Sequence, residues 1–164
     1  MMKLNTLGVL AAVAACLCAP PTWSADLRDA PAFSVASDTG NLRLADFKGK
    51  VVYIDFFASW CGPCRSSFKW LNDTHDKHAA NGLVILAINV DKERDLAAQF
   101  LKQNPARFRV GYDAEGSIAQ LYQLKGMPSS YLIDRKGQLR AAHVGFRDKD
   151  RVARTDDIAS LLAE

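Results

Sequence analysis

Cys61 and Cys64 stand three positions apart with Gly62-Pro63 between them. A cross-link closing so small a loop removes little chain entropy, so the pair serves chemistry rather than stapling. The chemistry that two neighbouring thiols perform is disulfide exchange: one thiolate attacks a disulfide sulfur and the second thiol resolves the mixed disulfide. Residues Val51 to Phe57 (VVYIDFF) read as a buried strand, and a helical stripe of Cys64, Phe68 and Leu71, extended by His75, follows. Cys61 therefore falls where a helix begins, and there free backbone N–H groups and the helix dipole favour negative charge. That makes Cys61 the expected attacking thiolate and Cys64, one turn further in, the resolving thiol. Pro63 is compatible with the first helical turn, and Trp60 is expected to shield one side of the site.

Asp55 is the second residue with chemical potential. A carboxylate inside VVYIDFF, six residues before Cys61, is not there for packing. Burial without a partner is costly and raises a carboxyl's proton affinity. An acid of that kind under a dithiol is a natural acceptor for the Cys64 proton. The competing reading is an Asp on an exposed strand face beside a basic partner. A structural zinc site usually needs four ligands, and no second cysteine pair accompanies this one. His75 and His78 lie three apart on one predicted helix and His143 lies in a predicted strand; all three read as packed or solvated. The expectation is no metal and no cofactor, with copper binding by the pair as the alternative. Pro128, after Gly126-Met127 and before an apolar strand, is either a cis proline or a trans proline at a sheet edge.

The elements needed to position these residues follow from pattern. Short strands are expected over Phe33–Ala36 and Leu42–Leu44 around the turn Asp38-Thr39-Gly40. The active-site helix should end at Asn81-Gly82, followed by a buried strand over Leu83–Val90. Helices are expected over Glu93–Gln103, Ser117–Leu124 and about Lys149–Leu162, the last with Val152, Ile158 and Leu161-Leu162 as its apolar side. Strands are expected over Phe108–Val110, Tyr131–Asp134 and Leu139–Val144, the last two joined by a turn at Arg135 to Gln138. The layout is α/β: a central mixed sheet flanked by helices on both faces.

Composition adds limits. The 164 residues suit one domain, and 49% hydrophobic with 24% charged residues is ordinary for a globular chain. A net charge of +3, with basic residues scattered, gives no footprint for nucleic acid. Residues 1–25 read differently: Lys3 is followed by an apolar run from Leu7 to Ala19 and then Pro20-Pro21. That is the pattern of a secretory signal, too short to span a bilayer comfortably. Cleavage is expected after Ser24 or Ala25, leaving residues 26–164 as the domain. Val13-Ala14-Ala15-Cys16 also fits a lipidation signal, so a lipid or membrane anchor at the N-terminus is the alternative. Cleavage near residue 25 removes Cys16 and Cys18 and leaves Cys61 and Cys64 as the only thiols.

WCGPC at 60–64, Asp55 and GMPSSYLID at 126–134 together resemble the thioredoxin superfamily over roughly residues 30 to 162. Within it the chain is most similar to the TlpA/ResA group of exported bacterial thiol-disulfide oxidoreductases. The export signal, the hairpin FSVASDTGNLRLADFKGK and the insert NVDKERDLAAQFLKQNPARFRVGYD carry that resemblance. It implies a thioredoxin-like fold with an N-terminal β-hairpin and a central αβ insert. It also implies that Asp55 shuttles protons, that Pro128 is a cis proline flanking both sulfurs, and that Met127 offers its backbone to a substrate peptide. Protein disulfides are the implied substrates, apocytochrome c or copper-centre proteins among them, with a membrane electron donor and a periplasmic location. Two residues depart from the group, Ser67 where Glu is common and Lys69 where Pro is common, the latter predicting a straighter helix. Reduction is the expected direction, since Gly-Pro between the cysteines is shared with reducing thioredoxins. A disulfide-forming oxidase and a copper chaperone are the competing functions. A peroxidase lacks its usual Thr-x-x-Cys setting here.

Overall fold

The structure, a computed structural model, describes residues 28–164. The segment read above as a secretory signal, with its expected cleavage or lipidation sites, lies outside the described residues. Seven strands form one sheet: β1 (Ser34–Ser37), β2 (Gly40–Arg43), β3 (Val51–Phe57), β4 (Leu83–Asn89), β5 (Arg109–Tyr112), β6 (Ser129–Ile133) and β7 (Leu139–Val144). Their spatial order is β2-β1-β5-β4-β3-β6-β7. β3, β4 and β5 run parallel, whereas β6, β7, β1 and β2 pair antiparallel with their neighbours. The mixed sheet and the hairpin are thus as the sequence pattern leads one to expect. The insert, helix α2 (Arg94–Gln103) plus β5, widens the sheet between β4 and the β1–β2 hairpin.

β3 lies inside the sheet and is buried along its whole length, which explains its unbroken apolar composition. Alternation along it sends Val51, Tyr53 and Phe57 to one face and Val52, Ile54 and Phe56 to the other. The first face is covered by α1 (Gly62–His78), α2 and α4 (Arg151–Ala163), through Phe68, Leu71, Phe100, Ile158 and Leu161. Phe57, Phe68 and Phe100 pack as an aromatic triad with ring centroids 4.7 to 5.1 Å apart. The second face is covered by α3 (Ser117–Leu121) and the residues after it, through Ile118 and Tyr122.

Several expectations require correction. The active-site helix ends at His78, and a single 3₁₀ turn over Ala79–Asn81 carries the chain to Gly82, whose φ of 97° closes it. α3 stops at Leu121 because Gln123 turns left-handed, with φ 51°. β6 begins at Ser129, earlier than Tyr131, because Ser129 and Ser130 are buried ladder residues rather than turn residues. Val152 is not on the packed side of α4: it is 69% exposed, and Arg154 takes the inward position in register with Ile158 and Leu161. The remaining element boundaries fall within two residues of expectation, and those of β3 and β7 coincide with it.

Candidate active site

Cys61 stands at the junction of β3 and α1. Its φ of −83° and ψ of 100° make it the N-cap residue, and its N–H donates to the Ala58 carbonyl at 3.1 Å. Pro63 lies in the first turn of α1. Cys61 and Cys64 are joined by a disulfide with their Cα atoms 5.4 Å apart. Both residues are almost wholly covered, at 3% and 0% exposure. Trp60, by contrast, is 68% exposed. Trp60 is therefore available to an incoming surface rather than packed against the protein.

The loop before Cys61 is fastened by residues that sequence reasoning missed. The buried Asp91 carboxylate accepts the Ser59 N–H and the Ser59 hydroxyl, both at 2.9 Å, and the Asn89 side-chain amide at 2.8 Å. The Asn89 side-chain oxygen in turn accepts the Asp91 N–H at 3.0 Å. A signal was present: Asn89 and Asp91 sit at the carboxyl end of a parallel strand, where open α/β sheets build their sites.

Asp55 is 1% exposed, with a face on the α1 side of β3. The Ser67 hydroxyl lies 3.3 Å from Asp55 Oδ2 and 3.0 Å from the Cys64 carbonyl, and Asp55 Oδ1 has no partner among the described residues. Burial pushes the Asp55 carboxyl up to about 7, against the opposing influences of the Arg154 cation and the Ser67 hydrogen bond. Ser67 thus links the acid to the backbone of Cys64. When Asp55 holds a proton, it can donate to Ser67 while Ser67 donates to Cys64. When Asp55 is ionised, one hydroxyl hydrogen must serve both acceptors.

The Met127–Pro128 peptide is cis. Pro128 is buried, and its carbonyl accepts the Gly145 N–H at 2.7 Å, which ties the loop before β6 to the end of β7. Met127 is half-buried against core residues of both faces. The structure therefore carries Asp55, Cys61, Cys64 and the 126–128 loop on elements adjoining the end of β3, whose residues Phe56 and Asp55 pair with Ser129 and Ser130 just beyond Pro128. His75, His78 and His143 stand apart from this set. His75 lies against the Phe108 ring, with centroids 6.4 Å apart, and His143 lies 3.5 Å from the Asp157 carboxylate. Among the described residues no group of three or more His, Cys, Asp or Glu side chains is placed to hold a metal ion.

Comparison with known proteins agrees with this geometry. The model of the AhpC/TSA family matches residues 27–142. The thiol-disulfide oxidoreductase ResA of Bacillus thuringiensis subsp. konkukian is 34% identical over 127 residues, spanning 76% of this chain and 73% of that protein. A Chlorobium tepidum crystal structure described as a thiol:disulfide interchange protein DsbE superposes with a TM-score of 0.82 at 46% identity, covering 83% of this chain and 96% of the other. A second Chlorobium tepidum structure, a thiol:disulfide interchange protein of the thioredoxin family, gives 0.72 at 26% identity over 84% and 98% of the two chains. With a cysteine pair on a thioredoxin-like fold and relatives of this kind, the chain belongs to the AhpC/TSA family and is a thiol-disulfide oxidoreductase of the ResA/DsbE type.

Proposed function

We propose that this protein reduces protein disulfides outside the cytoplasm, drawing electrons from a membrane partner. The observation that carries the reading is the buried Asp55, tied through Ser67 to Cys64 and titrating near neutrality. In the forward direction the Cys61 thiolate attacks one sulfur of a substrate disulfide and expels the other as thiolate. The Cys64 thiol then gives its proton to the Asp55 carboxylate and attacks Cys61 Sγ. The second substrate sulfur leaves as thiolate, the two thiolates take up one proton from Asp55 and one from solvent, and the Cys61–Cys64 disulfide remains. An acceptor that is part ionised at neutral pH suits this proton transfer better than an ordinary Asp, which is too weak a base.

Trp60, Met127 and Pro128 supply the substrate-facing wall in this reading, with the exposed indole as an apolar contact. Cysteine pairs of apocytochrome c or of copper-centre proteins are the proposed substrates, and the N-terminal segment directs export, with or without an anchor. The test is twofold. A Cys64→Ser variant should trap its substrate as a stable mixed disulfide on Cys61. The reduction potential of the Cys61–Cys64 couple should lie near that of reducing thioredoxins, about −270 mV. A value above about −180 mV would reassign the protein as a disulfide-forming oxidase.

A further inference from the structure

Among the described residues Arg154 is the only buried cation, 3% exposed. It comes from α4, at the far end of the chain from Asp55, and sits in the same layer between helix and sheet. A buried guanidinium costs several kcal/mol unless its charge is matched. Among the described residues no carboxylate takes it: Nη1 donates to the Tyr53 hydroxyl at 3.1 Å and to Ser130 Oγ at 3.0 Å, and Nη2 donates to the Gly145 carbonyl. Among the same residues its Nε has no partner, and the Phe146 ring centroid lies 5.1 Å from its guanidinium carbon. Tyr53 itself donates to Ser130 at 2.8 Å, so three neutral groups fix the cation.

The anchor points specify where that charge lies. Tyr53 is two residues before Asp55 on the same face of β3, and Ser130 is the cross-strand partner of Asp55 on β6. A fixed cation is thereby held beside the acid but not in contact with it. Direct pairing would hold Asp55 ionised well below neutral pH, and an apolar residue in its place would leave the acid protonated to a higher pH. Either change moves the acid away from exchanging its proton near neutral pH. We propose that Arg154 is a positioning residue whose fixed positive charge keeps Asp55 able to accept the Cys64 proton, coupling the last helix to the resolving step. This rests on Asp55 being the proton acceptor, as proposed above.

Other polar and titratable groups surround the pair. Ser67 of α1 reaches both Asp55 and the Cys64 carbonyl. Tyr53 is a neutral phenol, its hydroxyl pushed up to about 12 by burial and by Asp55. His143 on β7 pairs in register with Ser130 and has Asp157 of α4 beside it; Asp150, before α4, also acts on it. Burial and Arg154 lower the proton affinity of His143.

The experiment follows the resolution of a Cys61–glutathione mixed disulfide against pH on the full chain, with the Asp55 carboxyl read by ¹³C NMR. Arg154→Met, which removes the charge and keeps the volume, should move both midpoints upward by about 1 pH unit or more. Arg154→Lys should restore at least half of that displacement, and His143→Gln should leave both midpoints in place. In an Asp55→Asn background Arg154→Met should leave the pH profile unmoved. A folded Arg154→Met protein with unchanged midpoints would overturn the proposal. If that variant does not fold, the wild-type Arg154 guanidinium ¹⁵N resonances decide: they should titrate with the Asp55 midpoint and lose that response in Asp55→Asn, and a flat wild-type response sinks the idea. Should Asp55→Asn resolve the mixed disulfide at the wild-type rate at every pH, the acceptor reading itself fails. Slow Asp55→Asn with an inert Arg154 removes only the further inference.

Discussion

Burying the Asp55 carboxyl costs stability, and the sign of that cost with pH is fixed by its titration. In the folded disulfide form it keeps its proton to about pH 7, whereas an ordinary Asp loses it near 3.8. Between those values the folded state binds more protons than the unfolded chain, so stability falls as pH rises through the window and is flat on either side. Asp55→Asn removes this dependence. The variant should gain on the wild type across the window, by at most about 4 kcal/mol, with the whole gain present above pH 7. The same substitution should slow resolution of mixed disulfides by roughly 10²-fold at pH 8. Urea unfolding at pH 4, 5.5 and 7.5 tests the first expectation, and a stability difference that does not change with pH would refute it. The burial of Asp55 could be read from sequence, from its place at the centre of an apolar strand. The polar groups buried with it could not, because Ser67 and Arg154 look like surface residues until the helix faces are known.

At the scale of elements, the long apolar runs VVYIDFF and LVILAINV announced their strands because both of their faces are buried. What stayed hidden were polar residues turned inward, such as Ser129-Ser130 opening β6 and Arg154 on α4. Val152 misled for the converse reason: an apolar side chain on a short amphipathic helix need not face the core. The reassigned face of α4 has a direct consequence. Ile158→Ala should cost about 2–5 kcal/mol because it empties a fully buried site, while Val152→Ala should stay within about 0.5 kcal/mol. Comparable losses in denaturant melts would contradict the assigned face. The loop before Cys61 depends on Asp91 in the same element-level sense. Asp91→Ala strands the Ser59 N–H and the Asn89 amide, at a cost of about 1–3 kcal/mol. Ser59 should then lose amide-exchange protection, and the reduced protein should attack disulfides more slowly. Unchanged protection at Ser59 would show that the loop is held by something else.

For the molecule as a whole, the question is how the insert and the hairpin are joined to the unit that carries the cysteines. β5 is the hinge of that joint, parallel to β4 on one side and antiparallel to β1 on the other. Gly111, on β5, pairs with Ile88 of β4 and Ser37 of β1. A Cβ there would stand 2.4 Å from Val35 Cγ1 and 3.3 Å from Ile88 Cδ1, so the absence of a side chain makes room for Val35 where β1 pairs with β5. Gly111→Ala forces Val35 or the strand to shift, and overpacking of that kind costs about 1–3 kcal/mol. Asp55, Cys61, Cys64 and Pro128 lie on β3, at the start of α1 and in the loop before β6, and the nearest neighbours of that Cβ are Val35 and Ile88 instead. Gly111→Ala should therefore lower the unfolding midpoint and leave the rate of Cys61 attack and the reduction potential as they are. A change in either redox quantity would mean that the hairpin and insert communicate with the dithiol. The substitution then separates two accounts of the added elements, as a structural extension of the sheet or as a part of the machinery that sets the site.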